Sequence, residues 1–353
     1  MFLAWKEIKH DKLRYGLITL MIMLVSYLIF ILTSLAIGLA GQNTQAINTW
    51  EPQSIVLNKD ANINISQSKI MTDQVQKMDL NQKKSAVIGD TPVVVTGTSQ
   101  KKLSAQFVGL NSQQYIYKNL NLTSGKQATK PHEVVVDTQL QQNGYKLGDK
   151  IKLNSSKTKY KIVGFTKNAK LNIAPIVYGS LSDWHQISGL DTSIAGNAVI
   201  SKQKLASHNT QLHSYDVQTV IQNLPGYSAQ NLTFSFMIGF LMIISLIVIA
   251  VFLYILTMQK IQNYAVLRAQ GIPAGFLVRS TLIQSGLLVN MGIIASLVLT
   301  IGTIMALPAA VPIQFSIPII GLTIVGLFLT AMIGAIVPSL MIVRIDPAEA
   351  IGG

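Results

Sequence analysis

Ser280-TLIQSGLLVNMGIIASLVLTIGTIMALPAAVPIQFSIPIIGLTIVGLFLTAMIGAIVPSLMI-Val343 is a run of 64 residues without one Asp, Glu, Lys, Arg or His. A surface that meets water needs charged groups, and a soluble domain does not leave so long a segment bare. A helix rising about 1.5 Å per residue needs about 20 apolar residues to cross a hydrocarbon core about 30 Å thick. The run therefore predicts two membrane crossings with an uncharged turn at 306–316 between them. The chain reads as an integral membrane protein.

Working outward, four spans can be drawn, at about Tyr15–Leu39, Phe234–Met258, Leu282–Met305 and Ile317–Val343. Pro318 and Pro338 are expected to bend the last span or set its limits. Tyr15–Leu39 exceeds the roughly 7–15 apolar residues of a secretory signal, so it reads as a retained span. Lys6, Lys9, Lys12 and Arg14 precede the first span, Lys260, Arg268 and Arg279 separate the second from the third, and Arg344 follows the fourth. Basic residues near span ends mark the cytoplasmic side. This predicts a multi-pass protein of the cell membrane with both termini inside and the large segment outside. The expected divisions are an interfacial helix at 1–14 and a transmembrane helix at 15–41. An extracytoplasmic α/β domain follows at 42–232. Three spans occupy 233–353, with a cytoplasmic loop at 259–280. Phe2, Trp5 and Ile8 at helical spacing, with Lys6, Lys9 and Lys12 around them, suit a helix lying at the inner headgroups.

Charged residues make up 12% of the chain and hydrophobic ones 49%. The formal charge of +13 invites a nucleic-acid reading, which its distribution opposes. Between Gln42 and Leu232 there are 20 Lys, no Arg and 11 acids, without a dense cluster. The four arginines all sit beside apolar runs. Nucleic acid is therefore not an expected partner, whereas membrane lipid is. The basic outer face would suit anionic polymers or substrates, or solubility alone. Cysteine is absent, which excludes disulfides and thiolate metal sites. The histidines show no metal-ligand spacing, and no metal site is expected.

The 42–232 segment reads as mixed α/β. Ser85–Val95 and His132–Val136 are strand-like, and Lys150–Leu153 with Tyr160–Phe165 reads as a hairpin. Asp137–Asn143 suits a short helix with an Asp cap.

No enzyme motif is present. Ser124-Gly125-Lys126-Gln127 lacks the first glycine and the hydroxyl of a phosphate loop, and neither G-x-S-x-G nor H-E-x-x-H occurs. No catalytic residue is assigned. The spans carry no ionisable residue such as a proton- or sodium-driven transporter places at depth. Any work done must draw on a partner's energy. Ser34/Gly38, Gly292/Ser296, Gly302/Ala306 and Ala331/Ala335 are small-xxx-small pairs that let helices approach closely.

The loop Gln259-KIQNYAVL-Arg268-AQ-Gly271-I-Pro273-A resembles that of the FtsX-like/MacB-type permeases of ABC transporters. Leu267-Arg268-Ala269 and Gly271 match its pattern, while Tyr264 stands where an acidic or other residue often precedes Ala265. The tail Val343-RIDPAE-Ala350 and the segment HEVVVDTQLQQNGYKLGDKIKL with YKIVGF are similar to that family's tail and outer domain. The resemblance implies four transmembrane helices, with one mixed α/β extracytoplasmic domain between the first and second. It also implies a permease homodimer bound to two copies of a separate ATPase. The coupling role then falls on Ala265–Phe276 within the 259–280 loop, with Tyr264, Leu267, Arg268, Gly271 and Pro273 as its expected residues.

The start Lys6-Glu7-Ile8 with Arg14-Tyr15 looks most like the haem-exporting permeases of Gram-positive bacteria. That likeness implies efflux of an amphipathic substrate from the outer leaflet by mechanical coupling, with haem first, carried as substrate and not as a cofactor. Trp50, Glu51, Tyr227, Phe234, Phe236 and Met237 are then the expected substrate contacts. The alternatives are an FtsX-like signalling protein that regulates an extracytoplasmic hydrolase, and a membrane receptor with no ATPase.

Overall fold

The structure is a computed structural model, and it describes residues 12–78, 80–97, 102–205, 209–308 and 311–343. Most of the expected interfacial helix, the Lys6-Glu7-Ile8 motif and the tail beyond Val343 lie outside the described residues. The chain divides into two compact units, Leu39–Asn231 and the combination of Met1–Gly38 with Leu232–Gly353.

The first element, α1 (Lys12–Trp50), is a single helix of 39 residues. It passes position 41, where apolar character ends and the first span was expected to stop. Its polar side chains turn back on its own backbone. Asn43 Nδ2 donates to the Leu39 carbonyl at 3.0 Å, and Thr49 Oγ1 to that of Gln45 at 2.9 Å. Ala46, Ile47 and Trp50 bury in a hydrophobic core. Hydropathy registers the end of the apolar run, whereas packing sets the end of the helix.

Among the described residues, the 39–231 unit is built on an 11-stranded sheet and a separate two-stranded one. In chain order its elements are β1 (Ser54–Asn58), β2 (Ile70–Met71), α2 (Thr72–Gln76), β3 (Ser85–Thr96), β4 (Leu103–Leu110), α3 (Tyr115–Lys118), β5 (Leu122–Gly125), β6 (Glu133–Asp137), α4 (Thr138–Gln142), β7 (Lys150–Leu153), β8 (Lys159–Thr166), β9 (Lys170–Leu171), β10 (Ala174–Ser180), α5 (Leu181–Ser188), β11 (Ile194–Gly196), β12 (Ala198–Ser201), β13 (Leu212–Asp216) and α6 (Val217–Gln222). The main order is β13-β1-β12-β3-β4-β10-β6-β8-β5, with β7 bridging β3 and β8. Strand β3 joins two lobes. Its first half pairs antiparallel with β12 from Ser85 to Ile88, and its second half with β4 from Gly89 to Val95.

Because β7 also pairs with β3, the strands β3, β4, β10, β6, β8 and β7 close into a ring. Closure leaves no free edge among those six. Phe107, Tyr160, Phe165, Ile151 and Trp184 belong to one core cluster of this unit. A second core holds Ile55, Leu57, Ile88, Val108, Tyr115 and Tyr178 with Trp50. The expected hairpin pairs Lys150 with Lys161 and Lys152 with Lys159. The expected short helix is α4, whose Asp137 cap accepts from Gln139 N at 2.8 Å.

The other unit contains the start of α1 with α7 (Tyr227–Gln259), α8 (Ile261–Ala269), α9 (Ala274–Ala306) and α10 (Ile317–Val343). Helices α1, α7, α9 and α10 are each long and apolar enough to cross a membrane. Their core is Ile22, Ile29, Phe30, Ile249, Leu253, Leu288, Ile293, Leu327 and Ala331. Leu, Ile and Val are exposed in quantity outside it, as expected where hydrocarbon replaces water. Hydroxyls within the spans bond back one turn, as with Thr257 to Leu253 O, Thr300 to Ser296 O and Ser339 to Ala335 O. Three of the small pairs mark contacts, Ala331 and Ala335 being buried in the bundle core. A Cβ at Gly292 would lie 2.6 Å from Ile22 Cγ2, and one at Gly38 would strike the Pro312 carbonyl. At Gly302 a Cβ would meet nothing within 4 Å.

Candidate functional site

The residues singled out above form two groups, one in the loop between α7 and α9 and one divided between the two units. In the loop between α7 and α9, the helix α8 has one inward and one outward face. Tyr264 and Ala265 are buried and cluster with Leu277 of α9 and Ile342 of α10, with Leu267 packed against them. Gln262, Asn263, Val266, Ala269 and Gln270 face outward, followed by Gly271, Pro273, Gly275 and Phe276. Phe276 is 56% exposed, an unusual state for an aromatic ring beside the polar end of a span.

Arg268 reaches the end of α10, where its Nη1 donates to the Val343 carbonyl at 3.2 Å. A cation there complements the negative end of the helix dipole. Gly271 takes φ +89°, which a residue with a Cβ rarely adopts, and Ile272 N closes onto Leu267 O at 3.1 Å. Pro273, at φ −68°, then caps α9. Of the five expected coupling residues, Tyr264, Leu267 and Arg268 hold α8 against its neighbours. Gly271 and Pro273 shape its exit. Val266, outward on α8, lies outside that set because a nine-residue helix of mixed polarity does not reveal its buried side in sequence, and the exposed Phe276 lies beyond it in the first turn of α9.

The six expected substrate contacts divide between the units. In the 39–231 unit, Trp50 is buried, its Nε1 donating to Tyr178 Oη at 3.3 Å, while Tyr115 Oη donates to the Trp50 carbonyl at 3.0 Å. Burial pushes the Tyr115 and Tyr178 phenols above their ordinary pKa. Tyr227 packs on the edge of the same core. Glu51 is exposed at φ +49°, and Lys202 Nζ lies 2.8 Å from its Oε2, which holds the carboxyl below its ordinary pKa. In the membrane unit, Phe234 is half-buried, while Phe236 and Met237 are exposed on α7. The Phe236 ring stacks on that of Phe240 with centroids 6.5 Å apart. Phe240 was missed in the sequence, although its i+4 spacing from Phe236 could have pointed to it. A cleft of about 300 Å³ in the 39–231 unit, of mixed polarity, is lined by Leu110, Tyr117, Lys130, Glu133 and Leu181 among others, and by none of the six.

Residues 235–347 match the family model described as the FtsX-like permease C-terminal domain. That stretch contains α8, α9, α10 and most of α7. The whole chain is 27% identical over 360 residues to a Staphylococcus epidermidis protein (strain RP62A) that bears the name hemin transport system permease protein HrtB; the match covers 100% of this chain and 99% of that one. A Staphylococcus haemolyticus protein of the same name is 26% identical over 361 residues, with the same coverage.

Among solved structures, the periplasmic region of MacB from Actinobacillus actinomycetemcomitans aligns with a TM-score of 0.36 and 13% identity, over 50% of this chain and 94% of that one. The extracellular domain of YknZ from Gram-positive bacteria aligns at 0.31 and 11%, over 40% and 75%.

Proposed function

We propose that this chain is the permease subunit of an ABC exporter that expels haem. It would act as a homodimer with two copies of a separate ATPase docked at the 259–280 loop. The observation that carries the reading is the end-to-end similarity to proteins named as hemin transport permeases. The exposed Val266 on α8, and Phe276 and Arg279 in the first two turns of α9, support the docking assignment, since exposed apolar side chains and a cation suit a groove on a partner. Both termini and the 259–280 loop are then cytoplasmic, and the 39–231 unit lies outside.

The chain holds no resident cofactor in this reading, and haem is cargo. Phe236, Met237 and Phe240 are the α7 residues best placed to meet an amphipathic ring system, through aromatic stacking and a thioether ligand. Trp50 and Tyr227 support the fold around α1 and α7, and Glu51 is available only if it leaves Lys202. Expulsion needs no charged pathway. Helices α7 and α10 contain no ionisable residue, and α9 has only Arg279, in its second turn.

The test is a haem titration of the purified full-length protein, read by the Soret band. Saturable binding is expected, weakened roughly tenfold by Met237→Ala, equivalent to about 1.4 kcal/mol. Glu51→Ala and Tyr227→Ala should change it less. Binding that never saturates, or that ignores all three changes, removes haem from the reading. Stimulation of the partner's ATP hydrolysis by haem separates export from FtsX-like regulation of an outer hydrolase.

A further inference from the structure

Tyr15 closes the amino-terminal Lys6-Glu7-Ile8/Arg14-Tyr15 motif, and nothing in the proposed export cycle uses it. It is 1% exposed. Its phenol oxygen accepts from Lys260 Nζ at 2.6 Å and from Gln284 Nε2 at 2.5 Å. The same ammonium lies 5.4 Å from the Tyr15 ring centroid, within cation–π range. Lys260 is the single residue between α7 and α8, and Gln284 lies on α9. Beside them Tyr264 Oη of α8 meets Thr281 Oγ1 of α9 at 3.4 Å. Three chain segments therefore converge on one oxygen: the first span, the junction leading into α8, and the third span.

The cavity at this point measures about 10 Å³ and is lined by Tyr15, Leu256, Lys260, Tyr264, Thr281 and Gln284. That volume is about one water, too small for a substrate. The polar groups here act on one another. A hydrogen-bonded cluster in an apolar bundle is directional, unlike the contacts around it, and favours one arrangement of the elements it joins.

We propose that Tyr15, Lys260 and Gln284 form a coupling joint, positioning residues through which a displacement of α8 reaches α1. The joint deepens the reading of α8 as the ATPase-facing element and rests on it. Without the bridge, a partner could still move α8, but α1 would no longer follow.

The chain contains no cysteine, so labels can be placed without removing any. Spin labels at Leu13→Cys on α1 and Gln262→Cys on α8, both exposed, report the separation of those elements in full-length protein in lipid nanodiscs. One narrow distance distribution is expected. Tyr15→Phe, which keeps the ring and removes the oxygen, should broaden or shift it, and Lys260→Met should do the same. Tyr27→Phe, which removes a 3.0 Å contact with Thr303 elsewhere on α1 and α9, should leave it unchanged. With the ATPase present, Tyr15→Phe should reduce export roughly tenfold while ATP hydrolysis stays within about twofold, the size of effect coupling residues produce. Distances unaltered by both Tyr15→Phe and Lys260→Met overturn the joint, as does a parallel fall of hydrolysis and export. A wild-type chain that engages no ATPase overturns the export reading instead, and the distance measurement then still judges whether the joint exists.

Discussion

Asp90 shows how much one buried carboxyl can decide. It is 3% exposed on β3, where Ser66 Oγ donates to Oδ2 at 2.5 Å and its own N–H donates to Asn197 Oδ1 at 2.6 Å. Its Oδ1 has no partner among the described residues. Burial pushes the pKa from 3.8 up to about 6, against the opposing Ser66 bond. A raised carboxyl pKa means that the folded state holds its proton more tightly than the unfolded chain does. The associated stability is fully present below about pH 4 and is lost as pH rises through about 6. Above that the buried charge costs roughly 3 kcal/mol. Asp90→Asn, neutral at every pH, is expected to melt higher than wild type at pH 7 and above and to flatten the fall that wild type shows between about pH 4 and 6. Thermal unfolding of the full-length protein across that range checks this, and parallel curves for the two proteins would refute it.

Among the elements, the small residues of the spans make contrasting predictions. Gly292→Ala puts a methyl 2.6 Å from Ile22 Cγ2 and 3.3 Å from Met23 N, so α1 and α9 must separate. A cost of about 1–3 kcal/mol is expected from that overpacking. Gly302→Ala meets open space and gains helix propensity of up to about 1 kcal/mol. The thermal stability of the detergent-solubilised variants should fall for the first and hold or rise for the second; the opposite order would refute the packing.

The sequence showed both glycines as equal candidates, because spacing alone does not say which helix face meets a neighbour. Four spans were legible because hydrocarbon tolerates no other composition over such lengths. Their ends were less so. Helix α7 starts at Tyr227 and α9 at Ala274, each seven or more positions before the expected apolar start. Polar residues continue a helix whenever their side chains find partners. The sheet order was not legible at all, since β3 beside β12 and β4 beside β10 are pairings across distant sequence. The Tyr15 cluster joins residues 245 and 269 positions apart, and its one hint was polar side chains set among apolar runs.

For the whole molecule, the exposed Val266 of α8 and Phe276 of α9 are where docking and folding are expected to separate. Val266→Asp and Phe276→Ala should reduce capture of the ATPase by roughly tenfold, or about 1.4 kcal/mol, while leaving the protein's melting temperature unchanged. Tyr264→Ala should instead lower the melting temperature, because it opens a cavity in the α8–α9–α10 cluster at a cost of roughly 3 kcal/mol or more. Affinity capture with both variants beside wild type makes the comparison. Equal capture by all three would move the docking surface elsewhere. In the proposed docking, Tyr264, Leu267 and Arg268 build the platform, and the contact is expected to fall to neighbours with little motif character.

One dimension of α1 has a mechanical meaning. Its 39 residues, at about 1.5 Å each, make a rod about 58 Å long, nearly twice the hydrocarbon thickness. From Tyr15 to Trp50 is about 52 Å of that length. A rod pivoted at one end multiplies small angles: a tilt of about 5° sweeps the far end through roughly 4–5 Å, close to the spacing of neighbouring β-strands. Leverage of that size needs no bend in the helix and no channel through the bilayer. Backbone hydrogen bonds along its length stiffen it, so under the proposed export cycle its stroke would be set by geometry.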